Sequence, residues 1–332
     1  MNILSDIIII FTAFAGFMLA FYIRHKKASQ EVLVCPLDGK CEEVVHSEYS
    51  KFFGIPLEVI GMIYYALVGI SYAIFVVSPI FYSSLAIFLI FGATITAFLF
   101  SLYLTFIQAF VLKKWCTWCL VSAGFCTVIF VSALIGSSVN FIDLLADYRF
   151  LILLLHTFGF VLGVGGATIT DVFFFKFLKD FKISEWEAEI MHTLSQIIWF
   201  ALAILIISGI GLYLPAAERL IASPKFLVKL VVVGAIIING IFLNLIVSPQ
   251  LIRISFGEKH NHKVGELHHI RKLAFALGAV SLTSWYIALI LGMLRSIPLS
   301  FIAALGVYAG VLLIAIIGSQ ILERLFNKRA QL

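Results

Sequence analysis

Nine stretches of the sequence each hold about 20 mostly apolar residues, the length that a helix needs to cross a bilayer. Backbone in contact with lipid must satisfy its own hydrogen bonds, and no stretch alternates like a barrel strand. Each stretch therefore predicts a membrane-spanning helix. The predicted spans are residues 3–23, 57–78, 83–112, 116–136, 150–175, 192–214, 226–248, 273–294 and 298–322.

The composition supports this interpretation. Hydrophobic residues make up 62% of the 332 residues and charged residues 12%, whereas an average soluble domain has about 25% charged residues. The mean hydropathy is +1.10. The longest loops, 24–56 and 249–272, are too short to enclose a core of their own. We therefore predict an all-α integral membrane protein of the multi-pass type in the cell (plasma) membrane, with no nucleic-acid partner.

The basic residues are distributed unevenly between the two faces of the membrane. With nine spans, 18 of the 23 Lys and Arg residues fall on the face that carries the paired cysteines, and 5 fall on the opposite face. Short cytoplasmic loops are the ones enriched in Lys and Arg. The count predicts a cytoplasmic cysteine face. Because the rule is a statistical bias, an extracytoplasmic cysteine face is the alternative.

A weakly apolar linker, GSSVNFIDLLADYR at residues 136–149, separates two groups of spans. All five cysteines precede it, and six of the eight histidines follow it. We predict a four-helix domain over residues 1–136, a linker over 137–149, and a five-helix membrane domain of unknown function over 150–332.

Two cysteine pairs are the strongest chemical signal in the chain. Cys35 and Cys41 lie in CPLDGKC, and Cys116 and Cys119 lie in CTWC at the start of the fourth span. Spans two and three run away and back, so both pairs lie on one face. The positive end of a helix dipole favours a thiolate at Cys116, and thiol exchange requires a thiolate. A fixed pair beside a loop pair is typical of an electron relay.

Three alternatives remain open at this point. A four-thiolate zinc site usually spaces its ligands two to four residues apart, which fits the five residues between Cys35 and Cys41 poorly. A structural disulfide within one helical turn closes almost no loop and would contribute little stability. The chain could also be a transporter or a metal-handling membrane protein with regulatory or structural cysteines. Cys126 is expected to pack in the helix bundle.

The surrounding residues carry a resemblance. CPLDGKC, SEYSKFFGIPLEVIGMIYY at 47–65 and YLTFIQAFVLKKWCTWC at 103–119 combine a loop pair, a serine before Gly-Ile-Pro, a glycine five residues further on, and a CxxC that opens the fourth helix. This combination resembles the vitamin K epoxide reductase family, in its prokaryotic disulfide-forming branch, over residues 1–136.

The resemblance implies a four-helix bundle with a quinone pocket, and an enzyme that oxidises dithiols and reduces a quinone of the ubiquinone or menaquinone type. Cys35 would face the dithiol of a partner, Cys41 would exchange with Cys116, and Cys119 would lie beside the quinone. Ser50 matches the serine of the family. Many prokaryotic members carry a fused thioredoxin-like domain; none is recognised here, so a separate thioredoxin-like partner is expected.

A quinone head group favours apolar and aromatic walls with few polar groups. A polar side chain inside a span is costly unless it is paired or useful, so the amide of Gln108 is expected to bind either a quinone oxygen or a neighbouring helix. The predicted quinone contacts are Phe53, Tyr64, Tyr103, Phe106, Gln108 and Trp118.

The last five spans resemble no family that we can name. Two GxxxG motifs, at 159–163 and 306–310, predict close helix packing. Asp171 lies inside span five, where an acid is a functional candidate. A metal or proton site with histidines is one interpretation, and an ion pair of Asp171 with a nearby lysine is the simpler one. The histidines after the linker are His156, His192, His260, His262, His268 and His269.

Overall fold

The computed structural model describes residues 3–36, 39–137, 140–177, 185–247 and 266–330. Within these ranges, nine helices are long and apolar enough to cross a membrane, which confirms the prediction of an all-α integral membrane protein. The chain divides into two compact units, Met1–Arg149 and Phe150–Leu332.

Four long helices build the first unit. Helix α1 packs against α3 and α5, and α4 packs against α5 and α3, so that the four form a bundle. Its centre is filled by side chains that are fully or almost fully buried, among them Ile9, Ala13, Tyr65, Val68 and Ile129. The helices of this unit are α1 (Ile3–Ala28), α2 (Cys41–Val45), α3 (Leu57–Val77), α4 (Ser84–Phe106), α5 (Thr117–Gly136) and α6 (Phe141–Asp147).

The described parts of the segment between α1 and α3, residues 29–36 and 39–56, fold over one end of the bundle, and we call them the cap. It contains the short helix α2, a 3₁₀ turn at Glu48–Ser50, and an antiparallel hairpin of β1 (Lys51–Phe52) and β2 (Ile55–Pro56). The two residues between the strands, Phe53 and Gly54, have positive φ angles of 50° and 78°. Tight two-residue hairpins use this backbone conformation.

Helix α4 ends in an irregular segment that redirects the chain into α5. Residues Ile107–Leu112 form a π-helix, and Lys113 ends it in the left-handed conformation with φ 52°. Short π segments are frequent at functional sites because they re-aim side chains. Here the segment leads directly to Cys116, the N-cap of α5.

Helices α10, α11 and α12 pack together in the second unit. Trp285 is almost fully buried and rests on Gly163, where any side chain would collide with it. The first GxxxG motif therefore packs as predicted, whereas a Cβ at Gly306 or Gly310 would meet nothing within 4 Å in the described part of the chain. The helices are α7 (Arg149–Phe177), α8 (Glu185–Tyr213), α9 (Ala217–Ile221), α10 (Pro224–Phe242), α11 (Glu266–Met293) and α12 (Phe301–Ala330).

Candidate active site

The two cysteine pairs are in different redox states. Cys35 and Cys41 are joined by a disulfide, with their Cα atoms 5.4 Å apart. Cys116 and Cys119 are free thiols, as is Cys126. One pair is therefore oxidised while the other is reduced.

Both pairs meet in one buried cluster at the cap end of the bundle. Cys41 is 1% exposed and Cys116 is 0% exposed. Cys35 and Cys119 pack against the same cluster from its edge. The other buried members are aliphatic side chains of α1, the cap and α2, namely Leu19, Ile23, Leu33, Val44 and Val45.

The start of α5 favours a thiolate at Cys116, the residue just before the membrane-spanning part of the helix. Its sulfur accepts a hydrogen bond from the backbone N–H of Cys119 at 3.3 Å. A hydrogen bond from the Cys119 thiol is the main cause that lowers the pKa of Cys116, and the backbone N–H groups of Cys119 and Trp118 lower it further against the opposing effect of burial.

Gln108 contacts the backbone at the start of the CxxC motif. Its side chain is 4% exposed, and its Oε1 accepts a hydrogen bond of 3.0 Å from the backbone N–H of Cys116. This N–H belongs to the helix start and has no partner within the helix. The structure shows this contact with the start of the next helix, and the contact of Gln108 with a quinone stays a prediction.

Side chains of α5 hold the cap loop against the cysteines. Thr117 Oγ1 donates to the carbonyl of Pro36 at 2.8 Å and lies 3.7 Å from the sulfur of Cys35. The indole N–H of Trp118 donates to the carbonyl of Val34 at 3.0 Å. The two middle residues of the CTWC motif therefore fix the loop on both sides of Cys35.

Gly39 allows the chain to pass close to the disulfide. A Cβ built on this residue would lie 2.5 Å from the sulfur of Cys35 and 3.1 Å from the carbonyl oxygen of Trp115. The next residue, Lys40, donates its backbone N–H to the same carbonyl at 2.8 Å. A residue without a side chain is needed at position 39 for this approach.

An ion pair joins α2 to the segment before the CxxC. Glu43 binds Lys114, and Lys40 adds a contact of 3.4 Å. The hydrogen bond from Lys114 is the main cause that lowers the pKa of Glu43. Lys114 is therefore engaged with a carboxylate of the cap.

A second ion pair joins three segments at the side of the cluster. Lys27 Nζ, near the end of α1, lies 3.1 Å from Glu58 Oε1 in the first turn of α3. The same ammonium group donates to the carbonyl of Val45 at the end of α2, at 2.9 Å. Glu58 is almost completely buried, so this contact fastens α2, which carries Cys41, to two bundle helices.

Two of the predicted quinone contacts belong to a row of aromatic rings. Ring centroids of Phe53 and Phe52 are 4.5 Å apart, those of Phe52 and Phe100 are 5.8 Å apart, and those of Phe100 and Tyr103 are 6.2 Å apart. The row links the cap hairpin to the end of α4. Its two predicted members are half-exposed, and Ser50, which is buried, immediately precedes the hairpin.

The other predicted contacts lie elsewhere. Tyr64 lies beside Tyr65 inside the bundle, with ring centroids 5.1 Å apart and the rings tilted, and its buried hydroxyl makes no hydrogen bond in the described part of the chain. Phe106 lies beside Phe110 and is half-exposed, and Trp118 faces the cap. The six residues are therefore distributed over the cap hairpin, the end of α4, the bundle interior and the start of α5.

A small cavity lies at the opposite end of the bundle from the cysteines. Its volume is about 20 Å³, enough for about one water molecule. Asp6, Tyr72 and Tyr82 are its main polar lining residues. This space is too small for a quinone ring.

Residues 7–134 match the Vitamin K epoxide reductase family. The match covers the four-helix bundle and both cysteine pairs, and it leaves the second unit outside. No curated protein and no solved structure matches the chain. The match indicates a membrane oxidoreductase whose chemistry concerns disulfides and quinones, and the resemblance stated from the motifs is confirmed for this segment.

Several functional side chains escaped the sequence analysis. Thr117 and Gly39 position the cap loop, but single Thr and Gly residues carry no distinctive pattern. Tyr65 contacts the hydroxyl of Ser122 at 2.8 Å and the sulfur of Cys126 at 3.4 Å, which links α3 to the helix of the CxxC. In the sequence, a tyrosine and a serine within otherwise apolar spans are the signal that could have predicted these contacts.

The histidines of the second unit do not form a metal site in the part that the structure describes. No group of three or more His, Cys, Asp or Glu side chains there is placed to hold a metal ion. His156 contacts Ser208 Oγ at 2.9 Å and Lys229 Nζ at 3.5 Å, and His192 is exposed. His260 and His262 lie outside the described residues, as do the side chains of His268 and His269.

Proposed function

We propose that the first unit is a quinone-dependent dithiol oxidase. It oxidises a dithiol of a separate thioredoxin-like protein through its two cysteine pairs and passes two electrons to membrane quinone, thereby supporting disulfide formation. The observation that carries the proposal is the buried cluster that the two pairs share. Cys41 and Cys116 are inaccessible to solvent within it, whereas their respective partners, Cys35 and Cys119, lie at its edge.

The first step forms the new disulfide in the partner. A partner thiolate attacks Cys35, the more exposed sulfur of the loop disulfide, and Cys41 leaves as a thiolate. The second partner thiol then displaces Cys35, so that the partner is oxidised and the loop pair holds two thiols. The half-exposed position of Cys35 and the buried position of Cys41 favour attack in this order.

The second step passes the electrons inward when the helix pair is oxidised. Cys41 attacks Cys116, which forms a mixed disulfide and releases Cys119 as a thiolate. Cys35 then attacks Cys41 and restores the loop disulfide, with Cys116 leaving as a thiolate. The lowered pKa of Cys116 makes it a good leaving group, and the product is the redox state that the structure holds.

Closure of the Cys116–Cys119 disulfide completes the cycle. Quinone, when bound, accepts the two electrons and two protons that this closure releases. Phe53, Tyr103 and Phe106 fit a flat apolar ring that enters from the lipid, because they are exposed aromatic side chains at the cysteine end of the bundle. Gln108 and Thr117 position the cysteines and the loop.

Purified protein should reduce a quinone analogue when it is supplied with a reduced thioredoxin-like protein. Cys119→Ala should abolish this activity because no disulfide can then close at the CxxC. Cys126→Ala is the matched control, since it removes a buried cysteine of the same helix that belongs to neither pair, and it should retain activity. Thiol-dependent quinone reduction that survives Cys119→Ala would overturn the proposal.

We further propose that the cysteine face is cytoplasmic, supported by the 18 basic residues on that side. In a Cys41→Ala variant, Cys35 is left as a partly exposed thiol. A membrane-impermeant thiol reagent should label it in opened cells and not in intact cells after reduction with a permeant reductant. Ready labelling in intact cells would show the extracytoplasmic orientation and leave the oxidase chemistry unaffected.

A further inference from the structure

Two buried oxygen atoms, one on α7 and one on α10, make no hydrogen bond to the residues that the structure describes. They are Oδ2 of Asp171, on α7, and Oδ1 of Asn239, on α10. Both residues lie within membrane-spanning segments, and Asn239 is only 4% exposed. Buried polar atoms are almost always paired, and polar side chains within a membrane are costly, so two orphan acceptors require an explanation.

Both side chains reach the same point of α11. Asn239 Nδ2 donates to the carbonyl of Leu277 at 3.0 Å. Asp171 Oδ1 lies 3.5 Å from the position that a Cβ would occupy on Gly278. Consecutive Cα atoms are about 3.8 Å apart, so the carboxylate and the amide approach one turn of one helix.

The contact with Leu277 fixes the orientation of the Asn239 amide. A carbonyl oxygen accepts hydrogen bonds, so the amide must turn its NH₂ group towards Leu277 and its oxygen away. The oxygen therefore cannot exchange places with the nitrogen to find a donor. It remains a buried acceptor, and the Asp171 carboxylate approaches the next residue of the same helix.

Within the described residues Asp171 makes no ion pair, and Lys179 and Lys182 lie outside them. Lys176, the nearest lysine along α7, is exposed, and within the described residues no basic nitrogen lies within 4.0 Å of the carboxylate. A transition-metal site is also unsupported there, because no group of three suitable side chains converges in that part. A single proton on the carboxylate is the smallest group that satisfies both oxygens.

We propose that Asp171 binds a proton within the second unit and donates it to Asn239 Oδ1. A carboxylate and an amide oxygen repel each other, whereas a carboxylic acid donates one hydrogen bond and satisfies both orphan atoms at once. The proposal is independent of the cysteine chemistry. It assigns to the second unit a proton-binding acid inside the membrane.

The same end of α10 is otherwise polar and irregular. A π-helix, Leu243–Val247, begins four residues after Asn239, and such segments are frequent at functional sites. Within it, Asn244 accepts from Ser195 at 2.6 Å and donates to the carbonyl of Gly240 at 3.1 Å. Among the described residues, the titratable side chains on the surrounding helices, towards this end, are Lys176, Glu187, Glu189, His192, Lys272, Glu323 and Arg324.

Difference infrared spectroscopy of the full-length protein in lipid nanodiscs tests the proposal. The spectrum of the wild type minus that of Asp171→Asn should contain the carbonyl stretch of one protonated carboxylic acid. Asn239→Ala should shift the band to higher frequency, since the acid loses its acceptor. Asp143→Asn, which changes an exposed acid outside the spans, should leave the band unchanged.

Asp171→Asn is expected to fold, because its amide can donate to Asn239 Oδ1 in place of the acid. Asn239→Ala gives a second, independent measurement, since Asp171 is retained there. A difference spectrum between wild type and Asp171→Asn that contains no protonated-acid band would overturn the assignment. Loss of the wild-type band when sodium replaces choline at constant pH would also overturn it, by showing that the site holds a sodium ion.

Discussion

Replacement of Gln108 by Met tests how the CxxC is held. The Met side chain has nearly the shape of Gln but offers no oxygen to the backbone N–H of Cys116. A buried N–H left without a partner costs about 1–3 kcal/mol. If this cost falls on the closed state, the fraction of molecules in which the start of α5 is locally open should rise about 5- to 150-fold.

Cys116 reports on this opening because it is completely buried and can be alkylated only when the site opens. Its labelling rate, measured by peptide mass spectrometry, should rise by the same factor in Gln108→Met. Thr105→Val is the matched control. It removes the hydrogen bond from Thr105 Oγ1 to the carbonyl of Ser101 within α4. That carbonyl keeps its helical partner, so the labelling rate of Cys116 should change by about twofold or less.

An unchanged labelling rate in Gln108→Met would refute this reasoning. If the variant instead bound a quinone analogue more weakly, with normal labelling of Cys116, the amide would be a quinone ligand and not a support of the helix start.

Three further changes probe the cap and the thiols. Cys119→Ala removes the hydrogen bond that is the main cause of the lowered pKa of Cys116. The pKa of Cys116 should therefore rise, and alkylation of Cys116 in the absence of denaturant should need a higher pH. Gly39→Ala should hinder closure of the loop disulfide, because its Cβ would collide with the loop sulfur, and a thiol–disulfide redox titration should show a less stable disulfide. Glu43→Gln removes the ion pair with Lys114 and should destabilise the protein at neutral pH. Because the pKa of Glu43 is lowered in the folded state, the difference in stability from wild type should vanish as the pH falls through that pKa. Urea denaturation in detergent at several pH values measures this difference.

The membrane architecture could be predicted because lipid imposes a simple rule on the sequence. Long apolar runs mark the spans, and the predicted and observed spans agree in number within the described residues. Helix ends were predicted less well, since hydropathy marks where lipid ends and not where a helix ends. Helix α8 begins at Glu185 and not at 192, because Glu187 and Glu189 continue the helix outside the apolar region.

The cysteines could also be found from the sequence, but the side chains that position them could not. Cys116 and Cys119 stand out by spacing, whereas the tasks of Gln108 and Thr117 depend on a π-helix and a cap loop that leave no periodic signal. The aromatic residues raised the opposite difficulty. With 32 phenylalanines in the chain, composition cannot tell which rings face lipid, core or ligand.

Trapping of the exchange intermediate tests the central claim most directly. In a Cys35→Ala, Cys119→Ala double variant, neither Cys41 nor Cys116 can complete its own pair. Mild oxidation of this variant should give one intramolecular disulfide between them, identified as a cross-linked peptide by mass spectrometry. If both thiols remain free, or if Cys116 pairs with Cys126 instead, electrons do not pass between the two cysteine pairs and the proposed relay is wrong.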